Sequence, residues 1–272
     1  MKIIITIKQV PEADKVEVNP ETGTLIREGV ESILNPFCEY ALDMAVKLRK
    51  DNPELEIEII ALSMGPPQAR MALLRCLELG ADKAYLLSDK AFAGSDVWAT
   101  ALTLKEGVLK KIPDFDLILS GKHAIDGDTA QVPAELAENL GIPQIFYGID
   151  VEIVKKKVRV KKETENGYQI IEARLPALVT VSKGPSSIRR LPSMKDVIDA
   201  RNKPLETITA DELDIEKEKL GLNGSYTQVV KVFAPSTRKS GKIIDGSNPV
   251  IAVKQMMEFL KEKKFLKFEG DR

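Results

Sequence analysis

Leu117-Ile118-Leu119-Ser120-Gly121-Lys122-His123-Ala124-Ile125-Asp126-Gly127-Asp128-Thr129-Ala130-Gln131-Val132-Pro133 joins a short apolar run to a polar loop, and a helical pattern then runs to Gly141. An apolar run without polar alternation suits a strand buried on both faces, as in a parallel sheet. Strand, loop and helix in succession form the unit from which open α/β sheets are assembled. Asp128 is placed to cap the helix, with Gln131 at the capping-box position. The free N–H groups of a first helical turn can hold a phosphate or pyrophosphate, and Thr129 and Gln131 add neutral hydrogen bonds. Asp126 and Asp128 could instead hold Mg²⁺, although the loop offers no further acidic partner. A turn and a cap without any ligand would also account for Asp126-Gly127-Asp128. The length of polar loop at a strand end favours the ligand.

The same unit recurs upstream. Residues 3–7, 57–63 and 84–87 are further short apolar runs. Phe37, Tyr40, Ala41, Met44, Ala45 and Leu48 recur every three or four residues, which predicts a helix with one apolar face. Helices are also expected over residues 71–77, ending at Gly80, over 96–111, and from about Asp128 to Gly141. The expected fold is therefore α/β: an open, mostly parallel, doubly wound sheet of the Rossmann-like, adenine-nucleotide-binding kind. Ligands of such sheets lie beyond the carboxyl ends of the strands. Three ends carry small polar residues: Thr6-Ile7-Lys8, Ser63-Met64-Gly65-Pro66 and Ser120-Gly121-Lys122.

Two insertions interrupt the alternation. Residues 10–30, with Pro11, Pro20 and Thr22-Gly23, read as a hairpin; residues 151–182 switch to strand signals around the turn Glu165-Asn166-Gly167. After Lys183-Gly184-Pro185 prolines multiply and long apolar periods stop. We expect a nucleotide-binding domain over residues 1–184. Residues 185–272 are expected as an extended arm, folded back or lying on a partner, with a last helix over 249–265.

Composition removes several classes. The 272 residues hold 40 basic and 41 acidic side chains, for a net charge of −1, which argues against nucleic-acid binding. No apolar run approaches the roughly 18–20 residues of a membrane span. Two distant cysteines, Cys38 and Cys76, and the single His123 cannot form the usual zinc or four-cysteine iron–sulfur site, and the cysteines are expected as buried free thiols. The chain has no GxGxxG, P-loop or G-x-S-x-G motif, and no nucleophile signature near His123, which reads as a loop residue. A nucleotide pocket without acid–base machinery fits a redox carrier, in which the cofactor does the chemistry.

The residues also resemble a known family, the β subunit of electron-transfer flavoproteins, including its nitrogen-fixation-associated members. The resemblance runs through Ile7-Lys8-Gln9-Val10-Pro11, Asn35-Pro36-Phe37-Cys38-Glu39-Tyr40-Ala41, Ser63-Met64-Gly65-Pro66, Gly121 to Val132, and Glu172-Ala173-Arg174-Leu175-Pro176-Ala177-Leu178-Val179-Thr180-Val181. It implies a heterodimer with an FAD-bearing α subunit and no independent catalysis by this chain. In ordinary members the β-subunit site holds AMP. In electron-bifurcating members it holds FAD, which takes hydride from NADH and divides the electrons. One goes to ferredoxin or flavodoxin, the other to a quinone-reductase-like or dehydrogenase subunit. The loop Ala124-Ile125-Asp126-Gly127-Asp128-Thr129-Ala130-Gln131-Val132 resembles the bifurcating version, with small residues where the AMP type carries bulkier or more acidic ones. Pro133-Ala134 stands where many relatives have Gly-Pro, and proline suits a first helical turn.

By resemblance, Thr6, Asn35, Pro36, Phe37, Cys38, Met64 and residues 124–132 line the nucleotide site. The segment from Ile188 to Ile198 would dock acceptor proteins, with Leu191, Met194 and Ile198 as an apolar anchor and Arg189 and Arg190 steering an acidic partner. A cytoplasmic location follows, with membrane association only through partner subunits. The rival reading is a free-standing nucleotide-binding or nucleotide-hydrolysing α/β protein, which leaves the long arm unexplained.

Overall fold

The computed structural model describes residues 1–12, 17–18, 25–26, 32–183, 191–230 and 241–265. The chain opens with β1 (Lys2–Ile7), whose run of isoleucines favours extended backbone. Short antiparallel pairs follow, β2 (Gln9–Pro11) with β5 (Ser32–Leu34) and β3 (Glu17–Val18) with β4 (Leu25–Ile26). The expected turn Thr22-Gly23 lies outside the described residues. Then come α1 (Pro36–Asp51), β6 (Glu58–Met64), α2 (Arg70–Glu78), β7 (Lys83–Leu87), α3 (Val97–Lys111), β8 (Leu117–Gly121) and α4 (Val132–Leu140). The antiparallel segment is β9 (Gln144–Val154), β10 (Lys157–Thr164) and β11 (Gly167–Arg174), followed by β12 (Ala177–Val181). The arm contributes α5 (Met194–Ala200), β13 (Leu205–Ile208) and α6 (Pro249–Glu262).

Nine strands form one sheet in the order β11-β10-β9-β12-β8-β1-β6-β7-β13. From β1 the chain steps outward through β6 and β7, then returns to the other side of β1 at β8. The switch point between β1 and β8 is where ligands of open α/β sheets bind. Side chains alternate along β1: Ile3, Ile5 and Ile7 pack with Ala41, Leu42, Leu73 and Leu77 of α1 and α2. Ile4 faces the other way, toward Leu104 and Val108 of α3 and Leu136 of α4. Both faces are thus covered, and burying each isoleucine contributes about 1.5–3 kcal/mol.

The structure changes two sequence expectations. Helix α4 starts at Val132, not near Asp128, because the intervening loop takes left-handed backbone at Asp128 (φ 51°) and Ala130 (φ 56°). The strands of residues 151–182 are not a separate insertion but extend the main sheet: β12 pairs parallel with β8, and β9 joins it to the antiparallel β10 and β11. Part of the arm folds back onto the sheet. β13 pairs parallel with β7, and Lys203 donates to the carbonyls of Leu77 (2.9 Å) and Ala81 (2.8 Å). Residues Met1–Phe233 accordingly form one compact unit and Ala234–Arg272 a second. The anticipated boundary after residue 184 lies outside the described residues.

In the second unit, Asn248 caps α6, its side chain accepting from the N–H groups of Val250 and Ile251. The helix ends at Glu262, short of the expected residue 265. Both cysteines are buried free thiols, and burial raises both, Cys76 well above its ordinary value. Among the described residues, no helix is long and apolar enough to cross a membrane.

Candidate nucleotide site

A cleft of about 730 Å³ opens at the carboxyl ends of β1, β6 and β8, on the face covered by α3 and α4. Its floor carries Thr6, whose hydroxyl lies 2.6 Å from that of Ser120. Of the residues expected from sequence, Thr6, Asn35, Cys38, Met64, Ala124 and residues 127–132 line it. Pro36, Phe37, Ile125 and Asp126 stand outside the lining. Phe37 packs its ring 4.3 Å from that of His123. The Ile125 N–H donates to Asn35 Oδ1 at 3.3 Å, and Asp126 pairs with Lys8 at 2.8 Å.

Asn35 is 1% exposed, and its amide is committed to the protein. Nδ2 donates to the His123 carbonyl (2.9 Å) and to Cys38 Sγ (3.3 Å), while Oδ1 holds Ile125. It therefore positions the β8–α4 loop. Gly121 fixes the same junction more tightly. A Cβ there would stand 2.7 Å from the Phe37 carbonyl carbon and 2.8 Å from the Cys38 nitrogen, so the end of β8 and the start of α1 are in backbone contact. Around Gly127 the reverse holds: beyond its two chain neighbours, no atom of the described residues lies within 4 Å of the position a Cβ would take. The loop is pinned at its root and open toward the cleft.

Two helices begin at this cleft. The first turn of α4 receives no side-chain cap: Gln131 occupies the cap position without making the bond. Asp128 points elsewhere, with its carboxylate 3.4 Å from His123 Nδ1 and its side chain 78% exposed. Pro133 has no N–H and that of Glu135 bonds the Gln131 carbonyl, which leaves the N–H groups of Val132 and Ala134 in this turn to an anion. At α3 the cap is present. Asp96 Oδ1 accepts from the Ala99 N–H at 3.0 Å, and Oδ2 accepts from the Thr227 N–H (2.9 Å) and hydroxyl (3.0 Å). Burial works to raise the Asp96 carboxyl, but these hydrogen bonds outweigh it and hold the group below its usual range. Glu135, in the first turn of α4, is pushed up by burial and then by the charge of Asp96.

Sequence reading missed two parts of the wall. Gly94, Ser95, Asp96, Val97, Thr100 and Leu104 bring the β7–α3 junction into the cleft, and Thr227, Gln228 and Val229 come from the arm. An aspartate before an apolar-periodic helix is a readable cap signal for the first. No local pattern marks the second.

Fold and cleft together define an open α/β protein with a cleft at the switch point of its sheet. The electron transfer flavoprotein domain matches residues 22–213. Over 263 residues the chain is 43% identical to the caffeyl-CoA reductase-Etf complex subunit CarD of Acetobacterium woodii, covering 97% of this chain and 99% of that one. It is 44% identical over 264 residues to the electron transfer flavoprotein subunit beta of Thermoanaerobacterium thermosaccharolyticum, with 97% and 99% covered. Protein FixA of Azorhizobium caulinodans is 37% identical over 271 residues, with 97% and 95% covered. The chain belongs to the electron transfer flavoprotein family, as a β subunit with FixA among its relatives.

Proposed function

We propose that this chain pairs with an electron-transfer-flavoprotein α subunit, holds FAD in its cleft, and takes part in electron bifurcation from NADH. The electrons would leave toward ferredoxin or flavodoxin on one side and a quinone-reductase-like or dehydrogenase subunit on the other. The carrying observation is the cleft itself. Its volume of about 730 Å³ lies in the upper half of the roughly 300–1,000 Å³ range of small-molecule pockets. It also combines an uncapped helix start with the open space beside Gly127.

FAD, when bound, supplies hydride acceptance and one-electron transfer. The residues of this chain bind and orient. The first turn of α4 suits the pyrophosphate, with Thr129 and Gln131 as neutral partners. Lys8, tied to Asp126, adds a cation at the rim, and Asn35 and Gly121 keep the loop in register. Met64, Leu104 and Val132 give the cleft apolar walls that keep water from a bound ring. Leu191, ahead of α5, and Met194 and Ile198 on it are 84%, 77% and 57% exposed, which supports their reading as an anchor for the acceptor subunit. Arg189 and Arg190 lie outside the described residues. A cytoplasmic location, with membrane contact only through partners, completes the reading.

An AMP-binding β subunit is the alternative, since a phosphate-binding turn serves either nucleotide. Co-purification with the α subunit and a count of bound cofactors separates them. A second flavin per heterodimer is the expected result, and one flavin with stoichiometric AMP would overturn the bifurcating reading.

A further inference from the structure

One wall of the cleft comes from far along the chain, and a carboxylate grips it where it enters the cleft. Asp96 caps α3 with one oxygen and grips both the N–H and the hydroxyl of Thr227 with the other. Its own N–H donates to Ser225 Oγ at 2.8 Å, and that hydroxyl reaches the Gly221 carbonyl at 2.7 Å. The Tyr226 ring lies 5.7 Å from that of Trp98. Behind them the Leu222 N–H donates to the Ala93 carbonyl at 3.0 Å. Gly221 has φ 57°, and a Cβ there would lie 2.2 Å from the Ala91 oxygen, so glycine alone permits this approach. Beyond the grip, Val229 lines the cleft while remaining 77% exposed.

We propose that residues 225–229 form a strap, fastened by Asp96 through Thr227, that presents Gln228 and Val229 to the planar ring of the bound nucleotide and sets which ring is preferred. The inference rests on the nucleotide reading of the cleft. Val229 offers an exposed apolar surface that a flat heteroaromatic ring would cover, and Gln228 beside it offers an amide that matches a donor–acceptor edge. Thr227 spends its hydroxyl on Asp96 and is therefore a positioning residue rather than a ligand contact. A nucleotide that touches the strap binds the fastened state better than the loosened one. Occupancy and fastening then stabilise each other reciprocally.

The test uses the full-length chain, stripped of nucleotide and titrated calorimetrically with AMP and with FAD, and hydrogen exchange across residues 225–229. Thr227→Val removes the hydroxyl grip but leaves the Asp96–Ala99 cap intact. Expected is an approximately tenfold loss of nucleotide affinity, the scale of one hydrogen bond to a charged acceptor, with any fall in melting temperature small beside that of Asp96→Ala and with recovery in Thr227→Ser. Nucleotide should slow exchange in residues 225–229 of the wild type and much less in Thr227→Val. Gln228→Ala should change the ratio of FAD to AMP affinity. Wild-type affinity in Thr227→Val, strap exchange indifferent to nucleotide, or an unchanged FAD-to-AMP ratio in Gln228→Ala would overturn the strap. So would a loss of binding that follows a lowered melting temperature and is not restored by serine. A wild-type chain that binds neither probe would instead overturn the nucleotide reading, and the strap's ligand with it.

Discussion

Helices α3 and α4 pack side by side and both begin at the cleft, yet their first turns are finished in opposite ways. At α3 a carboxylate seals the N–H groups and also draws in a distant segment of chain. At α4 the cap position holds a glutamine that makes no cap bond. The helix dipole is the same in kind at both ends. A sealed terminus spends it on internal stability, while an unsealed one reserves it for an anion from solution. On the proposed reading, the α3 start is structural and the α4 start is held for a ligand.

Breaking the sealed side should have the largest effect. Asp96→Ala removes a cap and two hydrogen bonds to a charged group, an expected loss of about 2–4 kcal/mol by thermal or denaturant melting. Asp96→Asn keeps the cap through Oδ1, but its Nδ2 cannot accept from Thr227, so it should lose the part carried by the two arm bonds and retain the part carried by the cap. Equal losses in the two variants would mean that charge, not capping geometry, carries the α3 terminus. Sealing the open side should divide stability from binding. Gln131→Asp places a carboxylate where the anion belongs, so helix α4 should gain about 0.5–1 kcal/mol while nucleotide affinity falls about tenfold. A variant that gains stability and keeps its affinity would place the phosphate elsewhere.

Acid should loosen the sealed side selectively. Asp96 is held below the usual carboxylate range, so its contribution is complete above its unfolded value of about 3.9 and is lost as pH falls through the lower folded value. Asp89 behaves alike. Hydrogen bonds from the N–H groups of Ala91 and Ala210 lower it, the second of them tying another stretch of the arm. Amide exchange, corrected for its intrinsic pH dependence, should show residues 210 and 227 losing protection below about pH 4, while the β1–β8 core keeps its own. The smallest effect belongs to the loop before α4. Asp128→Gly removes an L side chain from left-handed backbone without touching a cap, and should raise stability by less than about 1 kcal/mol. A large loss of stability would restore Asp128 as the cap of α4.

The same contrast marks how far the sequence could be read. Strands β1, β6, β7 and β8 were legible because unbroken apolar runs can only be buried on both faces, and α1 to α3 because their apolar residues share one face. Gly141, with φ 66°, closes α4 where a glycine should. The start of α4 was not legible. Asp128 has the chemistry of a cap, and only the left-handed turns at Asp128 and Ala130, which the wider loop imposes, move the helix start to Val132. Strand β13 is four residues long and half polar, so its identity comes from the edge of β7 it meets, not from its own pattern. Residues 227–229 carry no periodicity at all. Their place is set by a hydrogen bond to a residue more than a hundred positions earlier.

Strand β13 also bears on how the chain is made. Its partner β7 is complete long before Leu205–Ile208 can reach it, so during synthesis the edge of β7 stays open while the rest of the sheet can already assemble. An open parallel edge is a template for another chain, and pairing across so long a separation is slow. The arm therefore works as a late closure: a nascent or truncated polypeptide that ends before residue 205 carries a sticky edge that the finished one hides.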